Sequence, residues 1–393
     1  MSAVNRMSYV LPMRALARRQ KAFSLVELMV ALTIGLLILA ALVALFVNTS
    51  GANREMARAN SLIENGRLAI ELLQSDVVHG GYWGTYMPTY DDQTSSAIPA
   101  DEPAAVPDPC FAYTAPWTAA YKQDLLGTPV QVYDSNAVGT CDASVLFPNK
   151  LANTDVLVVR HAGLCIPGSG GNCEADVANM LYFQSTRCAT DVTRYVLDTS
   201  GYTLHARNCT TIAEKRRFVS NIYYVRDYAV TAGDGIPTLM RSAFDLSGGV
   251  LSHKVPVALI EGIQGLRIEL GIDNRSKAYT GNPTGTPVDY NAAVNWLDPI
   301  ARTIPTNRGD GAPDGAFVSC TTGSPCTAAQ FMNVTAVKIY VLVRSREPSK
   351  EFTDTKTYTL GGTTMGPFND RFRRHVYVTT VRLPNVAGRR QTP

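Results

Sequence analysis

Hydrophobic and polar residues follow three successive patterns along this 393-residue chain. Residues 28–47 are twenty consecutive positions without a charge, and 13 of them are Leu, Ile, Val or Phe. A helix of this length crosses about 30 Å of hydrocarbon, and these side chains favour membrane insertion by roughly 4–8 kcal/mol. Basic residues precede the stretch, which predicts a single-pass membrane helix with a cytoplasmic N-terminus and an exported body.

The second pattern predicts that the helix continues beyond the membrane stretch. No proline occurs between Pro12 and Pro88, and good helix formers follow residue 47. A single apolar stripe at three- and four-residue steps then predicts an amphipathic half that packs on the rest of the chain. We therefore expect one long helix over 23–80, ended by Gly80 and Gly81. The stripe consists of Leu62, Gly66, Ala69 or Ile70, Leu73 and Val77.

The third pattern is short alternating runs, typical of antiparallel strands. Residues 81–128 have no period and are predicted to be a connecting loop anchored by Trp83 and Trp117. Residues 129–393 are predicted to be a β-rich domain with a Gly/Pro/Asn-rich insertion at 273–330. The expected fold class is α+β, a long N-terminal helix packed on a mostly antiparallel body. The strand-like runs are 130–133, 155–160, 194–197, 218–228, 239–244, 266–272, 334–344 and 375–383.

All eight cysteines follow the membrane stretch, and their even number indicates an oxidising compartment. No C-x-x-C pair occurs, which argues against zinc-ribbon and thioredoxin-type sites. Eight cysteines allow 105 pairings, so the sequence leaves the connectivity open, with buried free thiols as the alternative. The candidate disulfides are Cys110–Cys141, Cys165–Cys173, Cys188–Cys209 and Cys320–Cys326.

Charge and motifs exclude several classes of function. The formal net charge is +3, but the first 22 residues carry five basic residues and no acid, which leaves −2 for the remainder. Such a body has no basic face for nucleic acid. The chain also lacks a G-x-S-x-G elbow, a phosphate-binding loop and an H-E-x-x-H motif. We expect no enzyme activity, no catalytic residues, no cofactor and no metal site.

Two short motifs in the insertion could have a function, one in calcium binding and one in adhesion. Asp310 and Asp314 could bind calcium, but their spacing departs from an EF-hand loop, and a solvated turn is favoured. The tripeptide Arg308-Gly309-Asp310 spells an adhesive motif that also arises by chance. Neither motif changes the expected function.

The edge of the membrane stretch carries a specific motif, AFSLVELMVA at residues 22–31. It resembles the class III signal of type IV pilins and pseudopilins, which a membrane-embedded prepilin peptidase cuts before the Phe and N-methylates. The resemblance implies that 1–22 is a leader, that cleavage falls between Ala22 and Phe23, and that Phe23 is the methylated N-terminus. Family members usually have Gly where this chain has Ala22.

If residues 1–22 are removed as the resemblance implies, Glu27 is the fifth residue of the mature chain. A lone carboxylate among packed apolar helices would be costly, so it is expected to pair with the N-terminal ammonium of a neighbouring subunit. Such pairing would set the register of subunits, as a buried polar group does in coiled coils. A simple interfacial Glu on a membrane anchor is the alternative.

Later segments resemble the PilW family of large minor pilins. Membership implies a subunit that helps initiate the pilus and lies near its tip, supporting twitching motility and adhesion. The implied partners are prepilin peptidase, other minor pilins, the major pilin, a tip adhesin and the inner membrane. The body would be periplasmic before assembly and extracellular in the filament afterwards. The matching segments are 60–67, 80–84, 222–227, 259–266, 337–345 and 378–385.

Two rival functions share part of this pattern. A type II secretion minor pseudopilin has the same kind of N-terminal segment, although such subunits are usually much shorter. A membrane-anchored exported enzyme or receptor would keep its anchor uncleaved. N-terminal sequencing of the mature protein separates the second rival from a processed pilin.

Overall fold

A computed structural model describes residues 24–134 and 138–391 of the chain. Within them the helices are Leu25–Val77 (α1), Ala119–Gly127 (α2), Ala143–Leu146 (α3), Ala328–Met332 (α4) and Pro384–Arg390 (α5), with a 3₁₀ turn at Thr89–Asp91. The strands are Val130–Tyr133 (β1), Val156–Ala162 (β2), Tyr182–Ser185 (β3), Tyr195–Asp198 (β4), Lys215–Arg226 (β5), Thr238–Ser247 (β6), Val250–His253 (β7), Val257–Glu261 (β8), Ile263–Ile272 (β9), Trp296–Asp298 (β10), Thr303–Pro305 (β11), Val334–Arg344 (β12), Tyr358–Leu360 (β13), Thr363–Met365 (β14) and Arg374–Arg382 (β15).

Helix α1 contributes to two compact units, since one unit ends at Met56 and the other begins at Ala57. In the first unit, the side chains of 28–47 are exposed on every face of the helix. A helix that is apolar all round and unburied is suited to hydrocarbon. By length and composition, α1 qualifies as a membrane-spanning helix among the described residues.

The C-terminal half of α1 belongs to the second unit and packs on its core. Leu62, Gly66, Ala69, Leu73 and Val77 are the buried positions, which confirms the predicted apolar stripe. The helix ends at Val77, and a turn follows in which Gly81 takes a positive φ of 74°. That backbone conformation favours glycine, so the Gly80-Gly81 pair suits the stop.

Two antiparallel sheets form most of the second unit. The eight-stranded sheet has the order β1-β2-β5-β3-β4, with β6 paired to β5 and both β7 and β8 paired to β6. The second sheet has the order β15-β12-β9. Separate hairpins are formed by β10 with β11 and by β13 with β14. The α+β class with an antiparallel body is therefore confirmed.

Strand β12 shows how alternation determines the two faces of the smaller sheet. Val337, Ile339 and Val341 belong to the same core cluster as the buried face of α1. Tyr340 and Leu342 point the other way and pack with residues of the β13–β14 hairpin. The period of two in the sequence therefore places the helix on one face and the hairpin on the other.

The interval 81–128 differs from its predicted form. It contains the 3₁₀ turn and the nine-residue helix α2, so the prediction of a connecting loop was wrong for 119–127. The Thr118 side chain accepts a hydrogen bond from the Tyr121 backbone nitrogen and caps α2. Trp83 and Trp117 are buried in an aromatic cluster with Phe183, Phe218 and Phe244. These packed rings explain why the interval is ordered.

The insertion 273–330 also contains regular structure, in the β10–β11 hairpin and the start of α4. Strands β3, β7, β8, β13 and β14 fall outside the predicted runs. All five strands have only three to five residues, too few for a clear period. The predicted boundary at residue 129 also differs from the compact unit, which begins at Ala57.

A charged cluster fixes the end of α1 against the large sheet. One oxygen of Asp76 lies 3.0 Å from His161 Nε2. The other accepts hydrogen bonds from Asn221 Nδ2 at 3.0 Å and from the Tyr223 hydroxyl at 2.8 Å. Burial would raise the pKa of Asp76, but His161 and these two donors outweigh it and hold the pKa below the ordinary 3.8.

Asp76→Asn is expected to lower the free energy of unfolding at neutral pH by about 1–3 kcal/mol, because charge-assisted hydrogen bonds are lost. A depressed carboxyl pKa contributes stability above the unfolded pKa and loses it as the pH falls through the folded pKa. The difference in the free energy of unfolding between Asp76→Asn and the wild type should therefore become smaller below pH 3.8. Urea unfolding at several pH values measures it. Glu71→Gln, an exposed acid on the same helix, should show no such narrowing.

Candidate assembly site at the helix N-terminus

The first turn of α1 is closed by a reciprocal pair of hydrogen bonds. The Ser24 backbone nitrogen donates to Glu27 Oε2 at 3.1 Å, and the Glu27 backbone nitrogen donates to Ser24 Oγ at 3.1 Å. This is a capping box, which satisfies backbone donors that have no partner within a helix. The S-x-x-E spacing that encodes it is readable in the sequence at residues 24–27.

Glu27 is exposed at this end of the helix. Its negative charge lies where the helix dipole is positive, which is a favourable electrostatic interaction. The polar side chain of Thr33 is satisfied inside the helix, donating to the carbonyls of Val30 at 2.9 Å and Met29 at 3.1 Å. Glu27 is therefore the one charged side chain that this apolar surface presents over residues 24–53.

The other two predicted site residues, Ala22 and Phe23, lie outside the described residues. The described part of the site thus begins one residue after the predicted cut. It contains the predicted register residue, Glu27, and a capping partner, Ser24, that was not predicted.

The body holds the C-terminal half of α1 through close contacts. Asn65 Nδ2 donates to the Glu261 carbonyl at 3.0 Å. Gly66 lies against the ring of Tyr377 on β15, so close that a Cβ atom on Gly66 would lie 2.1 Å from Tyr377 Cε2. These contacts hold this part of α1 closely against the small sheet, because backbone and ring meet without an intervening side chain.

The structure joins all eight cysteines as disulfides. They cross-link loops of the body, and the loops that they close differ in length from 6 to 31 residues. Loop closure restricts the unfolded chain and so favours the folded body. The pairs are Cys110–Cys141, Cys165–Cys173, Cys188–Cys209 and Cys320–Cys326, which are the four candidates named from the sequence.

The histidines have local structural contacts. Burial lowers the pKa of His253 to about 3, so this ring is neutral at physiological pH. Within 24–134 and 138–391, no three His, Cys, Asp or Glu side chains are grouped so as to hold a metal ion. The contacts are His79 with the Ser75 carbonyl, His161 with Asp76, His205 with Asp191, His253 with Ser220 and Ser242, and His375 with the Tyr377 ring.

The motif 308–310 is built into the fold. Arg308 is buried and donates to the Ala292 carbonyl at 2.7 Å, with its guanidinium 5.1 Å from the centre of the Tyr290 ring. A buried arginine is inaccessible to a receptor. Asp310 accepts a hydrogen bond from the backbone nitrogen of Ala312, as turn residues do, and Asp314 accepts one from the distant backbone nitrogen of Arg275.

Comparison with known families brings these observations together. The Prokaryotic N-terminal methylation motif matches residues 17–43, which contain Ala22, Phe23 and Glu27. The PilW family, described as Type IV Pilus-assembly protein W, matches residues 222–385.

Both matches support a type IV pilus minor pilin of the PilW family.

The PilW match begins within β5 and ends within α5, so it includes the whole small sheet on which α1 packs. The methylation motif implies processing by prepilin peptidase and association with other pilus components. The apolar helix and this motif fit a membrane-anchored pilin. The family and the fold are structural, not enzymatic.

Comparison with solved structures finds the "Type IV-like pilin TTHA1219 from Thermus thermophilus", at 14% sequence identity and a TM-score of 0.24. The alignment covers 65% of this chain and 84% of that chain. No curated protein sequence matches this chain.

Proposed function

We propose that this PilW pilin takes part in initiating assembly of type IV pili and is incorporated near the tip of the filament, where it supports twitching motility and adhesion. The observation that carries the proposal is Glu27, a single carboxylate presented at the end of a helix that is otherwise uncharged to residue 53. An uncharged helix alone would serve as an anchor, whereas the acid supplies a specific contact.

Pairing with a neighbouring subunit gives Glu27 its role in assembly. The capping contact to Ser24 uses Oε2, so the second carboxylate oxygen can accept the ammonium of another subunit's Phe23. Charge-assisted hydrogen bonds are about twice as strong as neutral ones, and more so in an apolar surrounding. A subunit in the wrong axial register would leave the acid unpaired at a cost of several kcal/mol.

Processing prepares this contact. Cleavage between Ala22 and Phe23 removes the basic leader and creates the ammonium, and methylation then modifies Phe23. The body lies in the periplasm, where an oxidising environment supports the four disulfides. The partners are prepilin peptidase, the other minor pilins, the major pilin and a tip adhesin. The protein leaves the inner membrane as it enters the extracellular filament.

Glu27→Ala is expected to leave membrane insertion and protein level unchanged and to reduce surface pili by roughly tenfold or more, the equivalent of one lost charged hydrogen bond. Electron microscopy of pili and membrane fractionation measure the two effects. Glu64→Ala removes an exposed acid from the same helix beyond the apolar stretch and should leave pili unchanged. Normal piliation in Glu27→Ala would overturn the assembly role.

N-terminal sequencing of the mature protein accompanies this experiment. A methylated Phe23 start supports the processing, and a Met1 start contradicts it. Deletion of the gene should abolish twitching; loss of an exported enzyme with normal twitching would instead assign the subunit to secretion.

A further inference from the structure

A cavity of about 390 Å³ lies in the body between the turn after α1, strand β3 and the loop that leads into β5. This volume falls in the range of small-molecule sites. It is remote in sequence from Glu27, and the assembly role does not use it. The lining residues that matter chemically are Thr85, Phe183, Ser185, Arg187, Ile212 and Arg216.

The walls of the cavity are held in place before any ligand binds. The disulfide Cys188–Cys209 closes the loop next to Ile212 and follows Arg187 directly. The carboxylate of Asp191 accepts hydrogen bonds from the Thr186 hydroxyl at 2.6 Å and the His205 backbone nitrogen at 2.8 Å, which ties the same loop to β3. A preformed site loses little conformational entropy on binding.

The cavity has a net positive charge. Two guanidinium groups, Arg187 and Arg216, and one carboxylate, Glu214, line it, which leaves one positive charge. Arg216 is held by Glu214 and by the carbonyls of Gly163 and Leu164. Arg187 is exposed, and in the described part of the chain its guanidinium makes no hydrogen bond or ion pair. Arg187 can therefore receive an anion.

Hydroxyl groups lie beside these cations. Thr85 Oγ1 and Ser185 Oγ are 2.9 Å apart, so one donates to the other and the second proton can reach a ligand. Ser185 is buried, which keeps this pair inside the cavity. Phe183 and Ile212 add apolar surface to the lining. The combination suits a ligand that carries a carboxylate, hydroxyl groups and a carbon skeleton.

We propose that this cavity binds a small hydroxylated carboxylate of the uronic-acid type. The ligand carboxylate pairs with Arg187, whose planar fork matches two carboxylate oxygens. Ligand hydroxyls bond the Thr85–Ser185 pair, and the carbon face of the ring contacts Ile212. This site is separate from the assembly site, so either can fail without the other.

Calorimetric titration of the full chain in detergent with D-glucuronate tests the site, with D-glucose as the uncharged probe. We expect saturable binding of glucuronate and none of glucose. Arg187→Ala should weaken glucuronate binding by about tenfold or more. Arg187→Lys keeps the charge but lacks the planar guanidinium, so its affinity for glucuronate should lie between those of Arg187→Ala and the wild type.

Arg207→Ala is the matched control, because Arg207 is an exposed arginine of the same disulfide-closed loop that does not line the cavity. It should bind glucuronate as wild type does. Equal weakening in Arg187→Ala and Arg207→Ala would assign the effect to general charge and overturn the site. Absence of saturable glucuronate binding, or equal binding of glucose, would also overturn the proposed site. Neither result would bear on the assembly role of Glu27, which is tested by piliation.

Discussion

Arg390→Ala is expected to lower the free energy of unfolding of the body by about 3–5 kcal/mol, the cost of leaving buried charges without their partner. Arg390 is 2% exposed. Its Nε donates to Asp91 Oδ1 at 2.8 Å, and its Nη1 donates to Asn333 Oδ1 at 2.7 Å and lies 3.3 Å from Asp273 Oδ2. One side chain therefore joins helix α5 to the turn before α2 and to the insertion.

Urea unfolding of the full chain in detergent, followed by near-ultraviolet circular dichroism, measures the loss. Burial raises the pKa of Asp273 to about 6 against the opposing charge of Arg390. The raised pKa means that protonation of Asp273 favours the folded state, so stability declines as the pH rises through this range. The loss in Arg390→Ala should consequently be smaller near about pH 5 than near about pH 8.

Arg389→Ala is the matched control for this prediction. Arg389 is the preceding residue, its side chain is more exposed, and its contact to Asp91 Oδ2 is 3.2 Å without hydrogen-bond geometry. Its replacement should cost clearly less than that of Arg390, because it removes one ion-pair contact and no hydrogen bond to Asp91. Equal losses of unfolding free energy in the two variants would show that stability depends on the net charge of α5 and not on the buried network around Arg390.

Gly66→Ala is expected to destabilise the docked half of α1 by about 1–3 kcal/mol, although alanine is the better helix former. The added Cβ would lie 2.1 Å from the ring of Tyr377, so the ring must leave its place under the helix. Hydrogen exchange of the helix backbone at 62–77 measures the loosening, which should exceed that in the body strands.

The same substitution at Gly51 separates the two effects of alanine. A Cβ atom on Gly51 meets nothing within 4 Å, so Gly51→Ala should stabilise the helix by about 0.5–1 kcal/mol. Gly66→Ala combined with Tyr377→Ala should recover part of the loss, because the clash is removed. A stabilising effect of Gly66→Ala alone would contradict the close packing of helix and ring.

The long helix and the main strands were predictable because their periods are strong. The stripe from Leu62 to Val77 repeats over four turns, and β12 alternates over eleven residues. Helix α2 was missed because the nine residues after Thr118 stand in a Pro-rich interval, and its cap is a one-residue signal. Short strands such as β3 are paired to β4 and β5 by tertiary contacts that no local period reveals.

The sequence by itself determined that the chain has an uncharged membrane-length helix with an acid at its start, and that a β-rich, cysteine-bearing body follows. These properties depend on local composition and spacing, which can be read from the sequence without knowing the fold. Only the tertiary structure decided that Asp76 meets His161 and that Arg187 and Arg216 share one cavity. These partners are separated by 29 residues or more along the chain, so folding alone brings them within reach.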